Sequence, residues 1–268
     1  MASSSSTSST VPFNAQKVAA SPDSKYIETS PRRVRVLFNK KFVADTTAAK
    51  LVWEHRYYPT YYLPESDVQT KYIEKLEKSE DGEAHVCKLT VGDRSANKVL
   101  WFDNGELKGL IRFQFSEMGI FKSKKLFLTL DSWFEEDAEI YVHPKDPYKR
   151  VDIIPSTRHI VIKLNDTVIA ESSSPLLLYE TGLPIRYYLP KTSVNFELLE
   201  PSKSVTSCPY KGQARYYSIV LDGKEYKDYV WWYQYPTAES IAIAGRVCFY
   251  NEKVDIYIDG IKEEKTKK

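Results

Sequence analysis

Methionine occurs twice, cysteine three times and glycine ten times in 268 residues. No apolar run approaches the about 18 residues of a membrane span, and no signal-peptide hydrophobic stretch is present. Thirty-eight Lys and Arg balance 36 Asp and Glu, and no segment gathers the basic residues on one face. Nucleic-acid and membrane-surface binding therefore lack an electrostatic footprint. The cysteines, Cys87, Cys208 and Cys248, are widely spaced, and His55, His85, His143 and His159 are scattered. No C-x-x-C or Cys/His pair supplies the four convergent ligands of a structural zinc, so no metal or other cofactor is expected. Reduced thiols in a cytoplasmic protein are the reading for so few cysteines.

Aromatic residues are abundant: twenty Tyr, eleven Phe and five Trp. Such side chains suit pleated, half-buried surfaces, which favours strands over helices. An internal repeat decides the architecture. Residues 34–68 align without a gap against 160–194, a constant offset of 126. Asn39, Ala44, Leu51, Glu54, Tyr61, Tyr62, Leu63, Pro64 and Val68 meet Asn165, Ala170, Leu177, Glu180, Tyr187, Tyr188, Leu189, Pro190 and Val194. One long period indicates a duplicated domain rather than a solenoid, whose period runs to roughly 20–50 residues. The expected organisation is a polar Ser/Thr-rich tail over 1–31, a first module over 32–143, and a Pro-containing linker over 144–152. A second module over 153–261 and a solvated tail over 262–268 complete it. An organelle transit peptide is the alternative for the tail, though it lacks Arg before Arg32.

Within each copy a hairpin turning at Asn39-Lys40 or Asn165-Asp166 leads to a Ser/Thr bend, a short apolar run ending in Glu54 or Glu180, and a strand stopped by proline. Asp222-Gly223 joins two aromatic runs, 214–221 and 226–235, as a long hairpin. Residues 98–102 and 110–115 are expected to be its looser match in the first copy, with 126–130 and 139–142 closing that module. The best helix candidate is 68–79, with Ile73 and Leu76 on one side. All-β with minor helix, in two tandem copies, is the fold class.

Several groups could carry chemistry. Glu180 ends an apolar run where a carboxylate is partly desolvated, a setting for a general acid or base. Arg186 lies six residues on, across a Thr-Gly-Leu-Pro turn. The two form either a structural ion pair or, with Arg186 as a fork, a reader of a ligand carboxylate or phosphate. Cys208-Pro209-Tyr210-Lys211-Gly212 is the densest motif. A thiol beside Lys211 could act as nucleophile and Lys211 as an anion clamp, or the segment is simply a turn with Cys208 packed as a small apolar residue. Tyr188, Tyr216 and Trp231, on alternating strands, line a cleft or belong to a core or interface.

The same motifs run in order along the chain. They include Trp133-Phe-Glu-Glu-Asp137, His143-Pro-Lys-Asp-Pro-Tyr148, Glu180-Thr-Gly-Leu-Pro184, Arg186-Tyr-Tyr-Leu-Pro190, Cys208-Pro-Tyr-Lys-Gly212, Trp231 and Phe249-Tyr250. Together they resemble the tandem form of the family called domain of unknown function 427. The resemblance implies a small twisted β-sheet module similar to Mss4-like or β-tent domains without their zinc, and a pocket rather than an established activity. The first copy departs from the pattern: Thr60 stands in place of Arg186, and no Pro-Tyr-Lys-Gly follows Cys87. No Gly-Ser plus paired-carboxylate constellation is present to hold metal and triphosphate, which speaks against nucleotidyl transfer. The expected function is either binding or acid/base conversion of a small anionic or aromatic metabolite in the second module. Glu180, Lys211 and Cys208 would act, while Arg186, Tyr188, Tyr210, Tyr216 and Trp231 would bind. A non-catalytic protein-interaction module using the aromatic surface is the alternative, and a thiol-dependent transferase acting through Cys208 is the third reading.

Overall fold

A computed structural model describes residues 26–55, 57–115 and 131–265. The first module contains β1 (Tyr26–Thr29), β2 (Val34–Phe38), β3 (Lys41–Thr46), β4 (Lys50–His55), β5 (Tyr58–Pro64), β6 (Ile73–Lys78), β7 (Ala84–Val91), β8 (Arg94–Phe102), β9 (Leu110–Phe113), β10 (Ser132–Glu135) and β11 (Ala138–Ile140). The second contains β12 (Val151–Pro155), β13 (Ile160–Leu164), β14 (Thr167–Ser172), β15 (Leu176–Glu180), β16 (Arg186–Leu189), β17 (Leu199–Cys208), β18 (Gly212–Leu221), β19 (Lys224–Pro236), β20 (Val247–Phe249), β21 (Asp255–Ile258) and β22 (Ile261–Lys262).

Each module pairs a seven-stranded with a four-stranded antiparallel sheet in one topology. The large sheets run β1-β4-β5-β9-β8-β7-β6 and β12-β15-β16-β20-β19-β18-β17. The small sheets run β11-β10-β2-β3 and β14-β13-β21-β22. Val34, Val36 and Phe38 on β2, and Ile160, Ile162 and Leu164 on β13, alternate inward with half-buried residues. That period of two buries one face of each small sheet against the large one. The inner cores match position for position: Leu51, Tyr61 and Leu63 in one, Leu177, Tyr187 and Leu189 in the other. Asn39 and Lys40, like Asn165 and Asp166, both take positive φ, the I′ geometry whose twist suits a two-residue hairpin. Even the Ser/Thr bends recur, with Ala48 N donating to Thr46 Oγ1 (2.9 Å) and Ser174 N to Ser172 Oγ (3.1 Å). All-β tandem modules is thus the observed fold class.

Two local expectations change. Residues 68–79 are not helical: 3-10 turns at Glu65–Asp67 and Thr70–Tyr72 lead into β6. Pairing with β7 overrides the helix-favouring Glu/Lys/Leu composition, and Leu76 stands 52% exposed at a break in register between Lys75 and Glu77. The second copy's long hairpin, β18–β19, corresponds to β7–β8 rather than to 98–115, because β9 takes the sheet position of β20. Residues 126–130 lie outside those described.

Between β11 and β12 the chain forms no strand, as expected for the stretch holding Pro144 and Pro147. The His143 ring stacks on Tyr58 at 3.7 Å and meets Tyr210 edge-on at 6.4 Å. The Asp146 backbone N–H donates to the Tyr210 hydroxyl at 2.7 Å, and Lys145 pairs with Glu239 at 2.9 Å. The segment therefore bonds to both modules. At the other end, the Glu263 carboxylate accepts from the Tyr187 hydroxyl (2.8 Å), so the stretch after β22 is tied to the core.

Candidate functional site

The outer face of the second large sheet is not a water-facing surface. Alternation turns Leu176 and Leu178 on β15, Tyr188 on β16, Cys248 on β20, Trp231 and Tyr233 on β19, and Ala214 and Tyr216 on β18 away from the inner core, and these residues form a second buried cluster. Register aligns them in one row: Tyr188 opposite Cys248, Cys248 opposite Trp231, Trp231 opposite Tyr216. A roof closes over them. The 3-10 segment Ala238–Ile243 follows β19 yet touches β12, four strands away, so it crosses the face. Its last residue, Ile243, is fully buried.

The turn between β17 and β18 clips onto this roof. Thr237 Oγ1 donates to Tyr210 O at 2.5 Å, Ser240 Oγ to the same carbonyl at 3.0 Å, and Thr237 N to Lys211 O at 3.2 Å. Gly212 takes φ +94°, and a Cβ there would stand 3.2 Å from Tyr235 O, so the close approach needs glycine.

The charged groups converge, but in pairs that the sequence did not reveal. Glu180 pairs with Lys211, whose side chains are only 8% and 12% exposed. Arg186 turns to Glu252 instead: Nη1 and Nη2 donate to its two carboxylate oxygens at 3.0 and 2.9 Å, and Nη1 also reaches Asn251 Oδ1 at 3.0 Å. Its guanidinium lies over Trp231 (5.5 Å) and Tyr250 (5.8 Å). Burial opposes the charge of Arg186, yet the bonds to Glu252 outweigh it and the pKa rises.

Burial pushes Tyr188, Tyr233 and Tyr250 well above the ordinary tyrosine value, with neighbouring Cys248, Cys208 and Tyr216 respectively adding to it. Tyr188 accepts from Trp231 Nε1 at 3.1 Å, and the Tyr216 and Thr206 hydroxyls meet at 2.7 Å. Burial likewise pushes the Cys248 thiol far up, against the pull of Arg186. Cys208 is half-buried at the end of β17.

Of the residues singled out from sequence, Glu180, Lys211, Arg186, Tyr188, Tyr216, Trp231 and Cys208 belong to this face. Tyr210 faces the inter-module segment, with its hydroxyl on Asp146 N. Tyr233, Tyr250, Glu252 and Cys248 complete the face and were missed. For Tyr233 a signal existed, since it follows Trp231 by two positions in an alternating strand.

The first module shows what the same face is without these groups. By register, Leu100 takes the place of Trp231, Val86 that of Tyr216, Phe102 that of Tyr233 and Arg112 that of Cys248. Arg112 Nη2 donates to Glu54 Oε2 at 2.9 Å, and the Tyr62 hydroxyl donates to Oε1 of the same carboxylate.

This is a tandem pair of all-β modules, and among the described residues the second presents a thiol and two ion pairs lined by indole and phenol rings on one sheet face. A family model described as a domain of unknown function (DUF427) matches residues 26–115 and again 152–260, once in each module, and the chain belongs to that family. No curated protein matches the chain.

Proposed function

We propose that the second module binds a small polar aromatic molecule beneath the roof of its large sheet, with Glu180 and Lys211 as the groups that exchange protons with it. The carrying observation is the density of polar groups buried on that face, which an all-apolar cluster would fill at lower cost. Removing two charges from water costs several kcal/mol per ion unless geometry repays it. The first module carries one such pair on this face, Arg112 with Glu54, where the second carries two.

Charge favours an uncharged ligand over an anion. Arg186 and Lys211 are each neutralised by a carboxylate, so the face has no net positive charge to offer. Protonated Tyr188 and Tyr233 provide hydroxyls, and Trp231, Tyr216 and Tyr250 provide ring faces and edges. The aromatic rings are buried, with Trp231 7% and Tyr233 4% exposed. Burial speaks against a protein partner docking on an exposed aromatic patch. A thiol-dependent transfer by Cys208 is less well supported, because the adjacent cation, Lys211, is engaged by Glu180.

Native mass spectrometry of the purified protein tests the reading, alongside a Trp231→Leu variant that installs the first module's residue. A small aromatic of no net charge should co-purify with the wild type and be lost from the folded variant. Recovery of a carboxylate or phosphate ester, or retention of the ligand by the variant, would overturn it.

A further inference from the structure

A separate cavity of about 770 Å³ opens between the modules. It lies off the face described above: Ser207 and Gln213, register partners that line it, alternate with Cys208 and Ala214 and so point to the other side of the β17–β18 hairpin. Its size suits a small organic molecule, for which sites commonly span about 300–1,000 Å³.

The walls are largely apolar, and two of the rings that line them are open to solvent: Tyr235 is 81% and Tyr141 42% exposed. Four carboxylates stand in or beside the cavity. Glu135 is bonded by Arg32 and by the Tyr61 hydroxyl (3.0 Å), and Glu239 by Lys145 (2.9 Å). Two remain without a cationic partner among the described residues. Glu136 accepts only the backbone N–H of Arg33 (2.8 Å), and Glu139 accepts the hydroxyls of Ser132 (2.6 Å) and Tyr141 (3.1 Å). The nearby guanidiniums are committed elsewhere: Arg33 holds Asp45 through Nε at 2.7 Å, and Arg35 holds Asp137 at 2.6 Å. A cavity with apolar walls, open phenol rings and two carboxylates that no ion pair engages among the described residues is complementary to one ligand class.

We propose that this inter-module cavity binds a small organic cation, an ammonium carried on an aromatic or alkyl body. Its charge would lie near Glu136 and Glu139, and its body against Tyr235 and Tyr141. Ring faces attract such cations through their quadrupole, and Coulomb attraction from the carboxylates adds to it.

Calorimetric titration with benzyltrimethylammonium, benzyl alcohol and phenylacetate reads this out on the full chain. The expected order is cation tightest and anion weakest, with the cation's affinity falling as salt is raised. The E136Q/E139Q double variant, two exposed and isosteric changes, should weaken the cation about five- to tenfold and leave benzyl alcohol unchanged. Tyr235→Ala, at a largely exposed position, should weaken both the cation and benzyl alcohol. No binding of the cation, equal affinity for all three probes, or a double variant that binds the cation as the wild type does would overturn the proposal.

Discussion

Lys211→Met tests the centre of the candidate site most directly. The Lys211 and Glu180 side chains are 12% and 8% exposed, so the methionine would fill the lysine stem's space while leaving a carboxylate buried with its cation gone. Breaking a buried pair from one side costs about 3–5 kcal/mol, against about 0–1 kcal/mol for a pair at the surface. Residual exposure on both partners puts the expectation at the lower end, about 3 kcal/mol, or roughly 10–15 °C in the melting temperature of a module this size. The Glu180→Gln/Lys211→Met double variant removes both charges and should recover most of the loss, because a neutral amide is far cheaper to bury than an unpaired carboxylate. Urea melts followed by tryptophan fluorescence read the second module through Trp231 and Trp232, and transitions of the two modules need to be fitted separately. A single-variant loss under about 1 kcal/mol would mean that water reaches the pair, in the range of surface bridges. A double variant no better than the single would show that the charge pair does not set the energy of the site.

Three further outcomes follow from the geometry. Tyr210→Phe leaves the buried Asp146 N–H without its acceptor and should cost about 1–3 kcal/mol, read as faster exchange of the Asp146 amide and lost if that amide's protection is unchanged. Burial raises the folded pKa values of Tyr61, Tyr62, Tyr187, Tyr188, Tyr210 and Tyr233 above the ordinary tyrosine value of about 10, so the stability they confer is intact below that pH and is lost as pH climbs toward the folded values. Each should cost about 1.4 kcal/mol per pH unit above it, and reversible ionisation of all tyrosines at 295 nm with the fold intact would contradict this. Lys40→Gly, at φ +62°, should stabilise by about 0.5–1 kcal/mol and by more than Asp166→Gly, since Asp tolerates the left-handed region better; equal gains in urea melts would refute the strain assignment.

What the sequence disclosed and what it withheld divide along a physical line. The hairpins at Asn39-Lys40, Asn165-Asp166 and Asp222-Gly223 were legible because turn chemistry and period-two alternation are local. Residues 68–79 misled because Glu, Lys and Leu favour a helix until a neighbouring strand offers a ladder, and only tertiary structure supplies β7. The match of β7–β8 to β18–β19 was hidden because the constant offset of the 34–68 alignment is lost before β7. The convergence of Glu180, Lys211 and Arg186 on one face was foreseeable from alternation, but their partners were not. Glu180 and Arg186 are six residues apart, yet Lys211 lies 31 residues from Glu180 and Glu252 lies 66 from Arg186. Which cation reaches which carboxylate depends on strand order, and strand order is set by pairings remote in the chain.

Comparing the two faces shows how the same sheet position is filled differently in the two modules. Glu54 and Glu180 leave their strands at corresponding positions beside Tyr62 and Tyr188, and each must be neutralised because it ends an apolar run. In the first module the cation comes from β9, at the sheet position of Cys248, so a guanidinium shares the floor with Leu100 and Val86, where the second module has Trp231 and Tyr216. In the second, the cation comes from the β17–β18 turn at the edge, and the floor position shrinks to a thiol. Moving the positive charge to the rim frees the centre for Trp231 and Tyr216, and fastening that rim to the roof through Thr237 and Ser240 links the charge pair to the cover above it. The location of one cation, rather than the presence of the carboxylate, therefore separates the two sheet faces.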